Sequence, residues 1–386
     1  TRPTSSTGAL EWYARRSTHS EAVRLSRAVF ATVDEVGRVA DTESIDCDFA
    51  KGGWVRVARN KPQAHRQRDE IVHHRRWGMT EDDIRLLSAE ETAQLIGASR
   101  IHSGIFFAHT AALDPARLVR GLAEVVERAG VRIVEETAVR SIEPGRVETD
   151  LGTVKAGVVV RATEAYTRDL KGQRRDLLPV YSLMVATEPL PESVLDEVRL
   201  ESRPTFSDDR FMVIYGQRTA DNRLAFGGRG VPYLFGSRIS SDAELRTESH
   251  QLIARTLADL LPAVSEAEIT HRWGGVLGIP RNWIPGLTFD RMHGVGTLGG
   301  YVGEGVAASN LAGRTMAELI LGLDSERTSL PWVGVTARRW EPEPARWIGV
   351  RSSRRMLAAA DDREFENDRE AKLAFRVSRF LRGAGH

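Results

Sequence analysis

The feature that most constrains this chain is a glycine-rich turn that runs directly into a helix. The turn spans residues 299–305 and reads GGYVGEG, and small residues, VAASNLAG, follow it. Small side chains let one face of a helix approach a sheet closely, and the turn leaves backbone N–H groups open at the helix N-terminus. Such a terminus favours a negative or electron-rich ligand. The stretch therefore predicts a ligand-facing turn before a helix at 305–321.

The same region contains a literal G-x-G-x-x-G at Gly294, Gly296 and Gly299. In a dinucleotide-binding fingerprint, the acidic residue that binds the ribose lies at the end of the next strand. Glu318 lies instead within the predicted helix. We therefore do not interpret this stretch as a first fingerprint, and an NAD-dependent dehydrogenase stays a second alternative.

Composition excludes several classes of function. With 54 Lys and Arg against 53 Asp and Glu, the net charge of +1 creates no broad field for nucleic acid or an anionic membrane. No run approaches the ~18 apolar residues of a membrane span. The ten histidines show no spacing such as H-E-x-x-H, so no metal site is expected. Cys47 is the only cysteine, which excludes an internal disulfide and favours a cytoplasmic protein.

Hydrophobic periodicity predicts an α/β arrangement in the first half of the chain. Helices are expected at 8–43, 62–97 and 115–129, and strands at 52–59, 104–110, 131–136, 137–143, 146–150 and 153–163. The last strand is the most β-branched, so we expect it to be buried on both faces. This succession is typical of the middle of an open nucleotide-binding sheet.

The character of the chain changes near residue 176. Long strands of antiparallel type follow, including a hairpin around the turn at 219–222, and a helix at 242–262 interrupts them. This pattern predicts a second, α+β domain inserted into the first.

The order of these predicted helices, strands and the glycine turn resembles that of the D-amino-acid-oxidase-like (DAO) superfamily of FAD-dependent oxidoreductases. The similarity is greatest to the branch that holds glycine oxidase and γ-glutamylputrescine oxidase. The segments that carry the resemblance are DPARLVRGLAEVVERAGVRIVEETAVRSIE (114–143), TVKAGVVVRATEAYT (153–167), LAFGGRG (224–230) and GGYVGEGVAASNLAGRTMAELILG (299–322).

The resemblance implies FAD as the cofactor and assigns residues to it. The residues expected to line the isoalloxazine are Gly300, Gly303, Glu304, Gly305 and Val306. Val139 is expected to meet the adenine through its main chain, and Ala162 and Thr163 to pass close to the diphosphate and ribose. The expected fold is α/β plus α+β, in which an interrupted FAD-binding Rossmann-like domain carries an inserted antiparallel-sheet substrate domain. The expected segments are an N-terminal helical segment (1–49), substrate-domain parts at 50–110 and 176–285, FAD-binding parts at 114–175 and 286–325, and a C-terminal tail (326–386).

One departure from the superfamily concerns its first βαβ unit, which carries a G-x-G-x-x-G turn for the FAD diphosphate. We find no match to this unit in residues 1–386, and residues 1–20 resemble the segment beyond it. We therefore expect this chain alone to express poorly and to lack stoichiometric flavin. The alternative function is a truncated, non-catalytic remnant that no longer binds FAD.

The expected substrate is an amine or an amino acid, with no choice between them. Candidate pocket residues are Tyr181, Tyr215, Arg229, Trp273 and Tyr301, and Arg281 is a further, loosely placed candidate for holding a carboxylate. In such flavoenzymes the cofactor carries the hydride chemistry, while the protein orients the reacting C–H bond and keeps the amine neutral. The sequence identifies no catalytic base.

Overall fold

The computed structural model describes residues 7–228, 233–372 and 374. Its helices are α1 (Thr7–Arg16), α2 (His19–Thr42), α3 (Lys61–Arg76), α4 (Ala89–Leu95), α5 (Pro115–Arg128), α6 (Glu192–Val198), α7 (Ser241–Glu244), α8 (Thr247–Leu260), α9 (Gly305–Leu321) and α10 (Ala345–Asn367). Its strands are β1 (Trp54–Ala58), β2 (Ile84–Leu87), β3 (Ser103–Phe107), β4 (Val139–Glu143), β5 (Arg146–Thr149), β6 (Thr153–Lys155), β7 (Val159–Arg161), β8 (Leu177–Thr187), β9 (Thr205–Asp208), β10 (Ile214–Arg218), β11 (Leu224–Gly228), β12 (Ile269–Pro280), β13 (Thr288–Asp290) and β14 (Val295–Thr297). None of the described helices is long and apolar enough to cross a bilayer.

The largest element is an eight-stranded sheet with the order β12-β8-β11-β10-β9-β1-β3-β2. Two separate parts of the chain build it, and they join where β1 pairs in parallel with β9. Successive side chains of β8 point to opposite faces. Tyr181, Leu183 and Val185 pack against the buried face of α8, whereas Ser182 and Met184 face a cavity on the other side.

A second sheet positions the glycine turn. Its order is β13-β14-β7, with β14 antiparallel to β13 and parallel to β7. β14 leads into the turn and then into α9, whose residues Ala308, Leu311 and Met316 are buried in the core together with α1 and α2. The helix begins at Gly305 and ends at Leu321, as the sequence predicts, and Gly322 closes it in the left-handed conformation with φ 72°.

A third, small sheet is the antiparallel meander β4-β5-β6. The prediction of one strand at 153–163, buried on both faces, is wrong. The chain turns between β6 and β7, where the Ala156 N–H donates to the carbonyl of Gly145 at 3.1 Å. β7 is an edge strand of the described sheet, so Val158 and Val160 are 37% and 38% exposed.

Other predicted elements also differ. Residues 131–136 form no strand, because Val131 continues the end of α5 through a bond to Val126 and the following residues find no partner strand. The helical region predicted at 62–97 contains the strand β2, which pairs with β3. The helix predicted at 242–262 divides into α7 and α8. Helix α10 was not predicted at all.

Helix α10 is fixed to α3 and to the loop between β9 and β10 by carboxylates. Glu364 accepts hydrogen bonds from Arg66 at 2.8 to 3.0 Å, and Asp361 accepts the backbone N–H groups of Phe211 and Met212 at 2.7 and 2.8 Å. Burial raises the pKa of Asp361 to about 6. Helix α10 is therefore held against α3 and this loop by specific hydrogen bonds, which a buried environment strengthens.

One side chain ties the glycine turn to the large sheet. Glu164 follows β7 and accepts the N–H groups of Gly300 at 2.9 Å, Tyr301 at 3.2 Å and Gly278 of β12 at 2.7 Å. Its own backbone has φ +40°, close to the left-handed region, which is costly for a residue with a Cβ. Burial raises the pKa of the Glu164 carboxyl although the three N–H donors oppose that shift. This carboxylate holds together the end of β7, the turn and β12.

Replacing Glu164 by Gln should destabilise the fold. The amide retains one oxygen but places an NH₂ group where a backbone N–H now donates, so one buried donor loses its acceptor. We expect a loss of about 1–3 kcal/mol in the free energy of unfolding, measured by denaturant titration. Glu143→Gln, at an exposed position on β4, is the control and should leave stability unchanged. Equal stability of the two variants would contradict the structural role of Glu164.

Candidate active site

A cavity of about 1150 Å³ lies between the glycine turn and one face of the eight-stranded sheet. The sheet contributes Trp54, Ser182, Tyr215, Gln217, Trp273 and Leu277, and the turn contributes Gly303, Glu304 and Val306. Its volume exceeds the ~300–1000 Å³ of most small-molecule sites. The cavity is therefore large enough for an extended ligand.

The turn presents open backbone to this cavity. Val302 and Gly303 have φ of 56° and 97°. A Cβ built on Gly303 would meet only Leu277, at 3.9 Å, and one on Gly305 would meet nothing within 4 Å. No side chain caps the N-terminus of α9 in the described structure, so its dipole acts on whatever occupies the cavity.

The stretch with the literal G-x-G-x-x-G has a different structure. Val295–Thr297 forms β14, between β13 and β7. The carboxylate of Glu318 lies on α9 and bonds to Arg327 and Ser325. Neither the G-x-G-x-x-G stretch nor Glu318 is part of a ribose-binding arrangement. This agrees with the interpretation that the stretch is not a dinucleotide-binding fingerprint.

The residues predicted to contact a cofactor fall into two groups. Gly303, Glu304 and Val306 line the cavity, and Gly305 begins α9 beside them. Gly300 does not line it, because its N–H group is directed at Glu164. The residues that lie away from the cavity are Val139 on β4 and Ala162 and Thr163 at the end of β7. The segment that follows β7 approaches strand β4, where the Lys171 N–H donates to the Arg140 carbonyl at 3.2 Å.

Two of the predicted substrate residues lie in the cavity. Tyr215 and Trp273 face it from β10 and β12, and the Tyr215 hydroxyl hydrogen-bonds to Ser182. Trp273 is 41% exposed, which leaves much of its ring available for contact with a ligand. The two side chains form an aromatic and hydroxyl-bearing wall opposite the glycine turn.

The other predicted substrate residues lie elsewhere. Tyr181 is on the opposite face of β8, where its hydroxyl accepts the Ser240 N–H at 2.7 Å, and burial raises its pKa. Tyr301 is 8% exposed and packs in the core with α1 and α9, and burial raises its pKa as well. Arg281 donates to Glu341 at 2.9 Å and stacks on Trp340. Arg229 lies outside the described residues.

Sequence reasoning missed Trp54 and Trp283, which also line the cavity. Trp54 stands in a strand that the alternating pattern predicts, but alternation does not reveal which face meets the glycine turn. Trp283 has φ 59°, a conformation without a sequence signal in this segment. Among the described residues, no group of three His, Cys, Asp or Glu side chains is arranged to hold a metal ion.

A family model described as FAD dependent oxidoreductase, DAO, matches residues 4–319. This chain belongs to the DAO family of FAD-dependent oxidoreductases. The match covers the glycine turn, the large sheet and most of α9.

Several relatives of this DAO-family chain are known. It is 33% identical over 264 residues to the probable oxidoreductase OrdL of Rhizobium meliloti, which covers 66% of this chain and 58% of the relative. It is 31% identical over 296 residues to gamma-glutamylputrescine oxidoreductase of Escherichia coli, which covers 73% of this chain and 64% of the relative. The aligned part thus spans about three fifths of these relatives.

Solved structures show the same fold. Glycine oxidase from Bacillus cereus superposes with a TM-score of 0.67 at 19% identity, over 83% of this chain and 93% of that one. L-proline dehydrogenase from P. horikoshii superposes with a TM-score of 0.65 at 17% identity, over 78% and 80% of the two chains. The mixed α/β architecture of this DAO-family chain is that of glycine oxidase.

The family uses FAD, and the cavity fits part of that cofactor. Because Gly303 and Gly305 have no side chains, the space beside the turn stays open for a ligand. The positive end of the α9 dipole favours an electron-rich ring at this place. Thr110 also lines the cavity, and its buried hydroxyl has no hydrogen-bond partner among the described residues.

Filling the turn should reduce flavin binding without unfolding the protein. In Gly305→Leu the new side chain enters the open space at the start of α9, and we expect at least a tenfold loss of FAD affinity, measured by titration of the apoprotein. Gly313→Leu is the matched control, because Gly313 lies on the same helix and its Cβ also meets nothing within 4 Å. Retained FAD affinity in Gly305→Leu would place the flavin elsewhere.

Proposed function

We propose that this protein oxidises an amine or an amino acid by hydride transfer to FAD. The observation that carries the proposal is one continuous cavity that joins the N-terminus of α9 to the wall formed by Trp54, Tyr215 and Trp273. A flavin at the turn and a substrate on the aromatic wall would then face each other across this cavity. The names of the relatives support the substrate class, since they include oxidoreductases of gamma-glutamylputrescine and D-amino acids.

FAD, when bound, supplies the hydride acceptor. The chain's own residues have the task of holding the substrate. The indole rings of Trp54 and Trp273 offer apolar faces that exclude water and restrict the orientation of an alkyl amine. The hydroxyl pair of Tyr215 and Ser182 both donates and accepts hydrogen bonds, which suits a neutral amine. We assign no catalytic base.

We also propose roles for the remaining cofactor residues. The N–H groups at the start of α9 and the open backbone of Gly303, Glu304, Gly305 and Val306 would line the isoalloxazine ring, and the α9 dipole would stabilise negative charge on it. Gly300 would act indirectly, because its bond to Glu164 sets the shape of the turn. Val139, Ala162 and Thr163 would lie along the adenosine and diphosphate half of FAD.

The domain organisation is a further part of the proposal. Segments 50–110 and 176–285 would form the substrate domain, and 114–175 and 286–325 the FAD-binding domain. The open edge of β7 and the exposed Val158 and Val160 support a larger Rossmann-like sheet in which further parallel strands lie beside β7. The exposed Val119 and Leu122 of α5 provide apolar surface for such an addition. A structure of the flavin-loaded, full-length protein with β7 still at the sheet edge would contradict this arrangement.

Removing the Tyr215 hydroxyl should impair turnover. In Tyr215→Phe we expect kcat/KM for the best amine to fall about two- to tenfold, because a hydrogen bond within the pocket is worth roughly 0.5–1.5 kcal/mol. The measurement is the rate of flavin bleaching after anaerobic mixing with glycine, sarcosine, γ-glutamylputrescine or D-amino acids.

Tyr166→Phe provides the control for this substitution. Tyr166 is 57% exposed and lies outside the cavity, so its variant should behave as wild type. Equal rates for Tyr215→Phe and wild type would remove Tyr215 from the substrate site. Failure of all four substrate types to bleach the flavin in wild type would overturn the proposed substrate class.

A further inference from the structure

Helix α10 reaches the cavity through a loop that belongs to no strand. The loop spans residues 209–213, between β9 and β10. Its last residue, Val213, lines the cavity, and β10 continues from it to Tyr215, which lines the cavity as well. Loops of this kind carry functional residues on a rigid scaffold, and their position depends on the groups that bind their backbone. The contacts of residues 209–213 therefore decide where Val213 lies.

One carboxylate of α10 holds the middle of this loop. The two oxygens of Asp361 accept the N–H groups of Phe211 and Met212 at 2.7 and 2.8 Å. Asp361 and Phe211 are each 7% exposed, so the bond between them is shielded from water. The Phe211 side chain also belongs to an apolar cluster with Ala360 of α10, and Leu357 packs against that cluster. Polar and apolar contacts thus fix the middle of the loop to the helix.

A second carboxylate of α10 holds the start of the loop. Glu364 is fully buried and accepts from the guanidinium of Arg66 on α3 at 2.8 Å. The same guanidinium donates to the Asp209 carbonyl at 3.0 Å. The loop is therefore attached to α10 at two points, directly through Asp361 and indirectly through Arg66. Two attachments restrain both the place and the direction of a loop.

The start of the loop is connected to a further cavity residue. The Asp209 carboxylate forms an ion pair with Arg56 of β1, with an N–O distance of 2.9 Å. The Arg56 guanidinium carbon lies 5.1 Å from the centre of the Trp54 ring, in a cation–π contact. Trp54 lines the cavity. A displacement of the loop is therefore transmitted to Trp54 as well as to Val213.

We propose that α10 is a positioning strap, which fixes the 209–213 loop through Asp361 and so sets the places of Val213 and Trp54 in the lining of the cavity. That this lining binds the substrate rests on the proposed function, whereas the attachment of the loop does not. The strap lies beyond residues 4–319, the part of the chain that the family model matches. A lining that is held in place before the ligand arrives lowers the ordering cost of binding and so raises affinity. Asp361 is thus a positioning residue that acts on the substrate through the loop.

Hydrogen–deuterium exchange of the protein tests the strap without any substrate. In wild type we expect the amides of Phe211 and Met212 to be protected, as those of β10 are. In Asp361→Ala, which removes both acceptors, exchange in 209–213 should rise about tenfold or more and exchange in α9 should stay unchanged. Asp361→Asn retains one acceptor oxygen and should give a smaller rise. Asp362→Ala, the next and exposed residue of the same helix, is the control and should change neither rate.

Kinetics of the FAD-loaded protein test the consequence for the substrate. The substrate is whichever of glycine, sarcosine, γ-glutamylputrescine or D-amino acids bleaches the wild-type flavin fastest. In Asp361→Ala we expect KM to rise about three- to tenfold, while kcat per bound flavin and the Kd for FAD stay within about twofold of wild type. A loss of global stability alone would lower the yield of flavoprotein and leave KM of the folded enzyme unchanged. Asp361→Asn should lie between Asp361→Ala and wild type.

The outcomes separate the strap from the proposed oxidation. Unprotected amides at Phe211 and Met212 in wild type, or unchanged exchange in Asp361→Ala, would overturn the strap even in an active amine oxidase. Faster exchange with an unchanged KM would overturn it too, because the loop would then have no influence on the substrate. Exchange that depends on Asp361 in a protein that oxidises no amine would retain the strap and overturn the proposed reaction. If Asp361→Ala does not fold, the milder Asp361→Asn decides in its place.

Discussion

The position of the active site depends on the carboxylate of Glu164. Three backbone N–H groups, from Gly278, Gly300 and Tyr301, donate to its two oxygens. Without such an acceptor, the turn and the end of β12 would bring unpaired donors together in a partly buried place, at a cost of about 1–3 kcal/mol each. The same bonds fix the distance between the start of α9 and the wall that holds Tyr215 and Trp273. The relative position of the glycine turn and this wall is thus set by one side chain that does not line the cavity.

The lining of the cavity combines two kinds of chemistry. Gly303 and Val306 of the turn and the aromatic side chains of the sheet form one part of it, and the dipole of α9 acts there. Charged residues line it as well, among them Arg203 and the carboxylates of Asp48 and Asp114, which share the guanidinium of Arg117. An apolar lining keeps a reacting C–H bond dry, whereas charged groups form charge-assisted hydrogen bonds.

The sequence predicts those parts of the fold that depend on local physics. The bounds of α9 and the hairpin after β10 depend on residues adjacent in the chain, and they occur where the sequence pattern predicts them. The alternation in β8 is equally visible, but it cannot tell whether Tyr181 or Ser182 faces the cavity. That choice depends on α8, which covers one face. Glu164 gives no signal at all, because its role depends on partners from distant segments.

The parallel pairing of β1 with β9 has a consequence for how this protein folds. Trp54 and its hydrogen-bond partner Ser207 are 153 positions apart, yet they lie on neighbouring strands of one sheet. Closing so long a loop is entropically costly, and contacts of this separation form late. During synthesis, the strands β1, β2 and β3 therefore wait with an open edge until β9 has left the ribosome. Unpaired strand edges of this kind make a partly folded chain prone to aggregation.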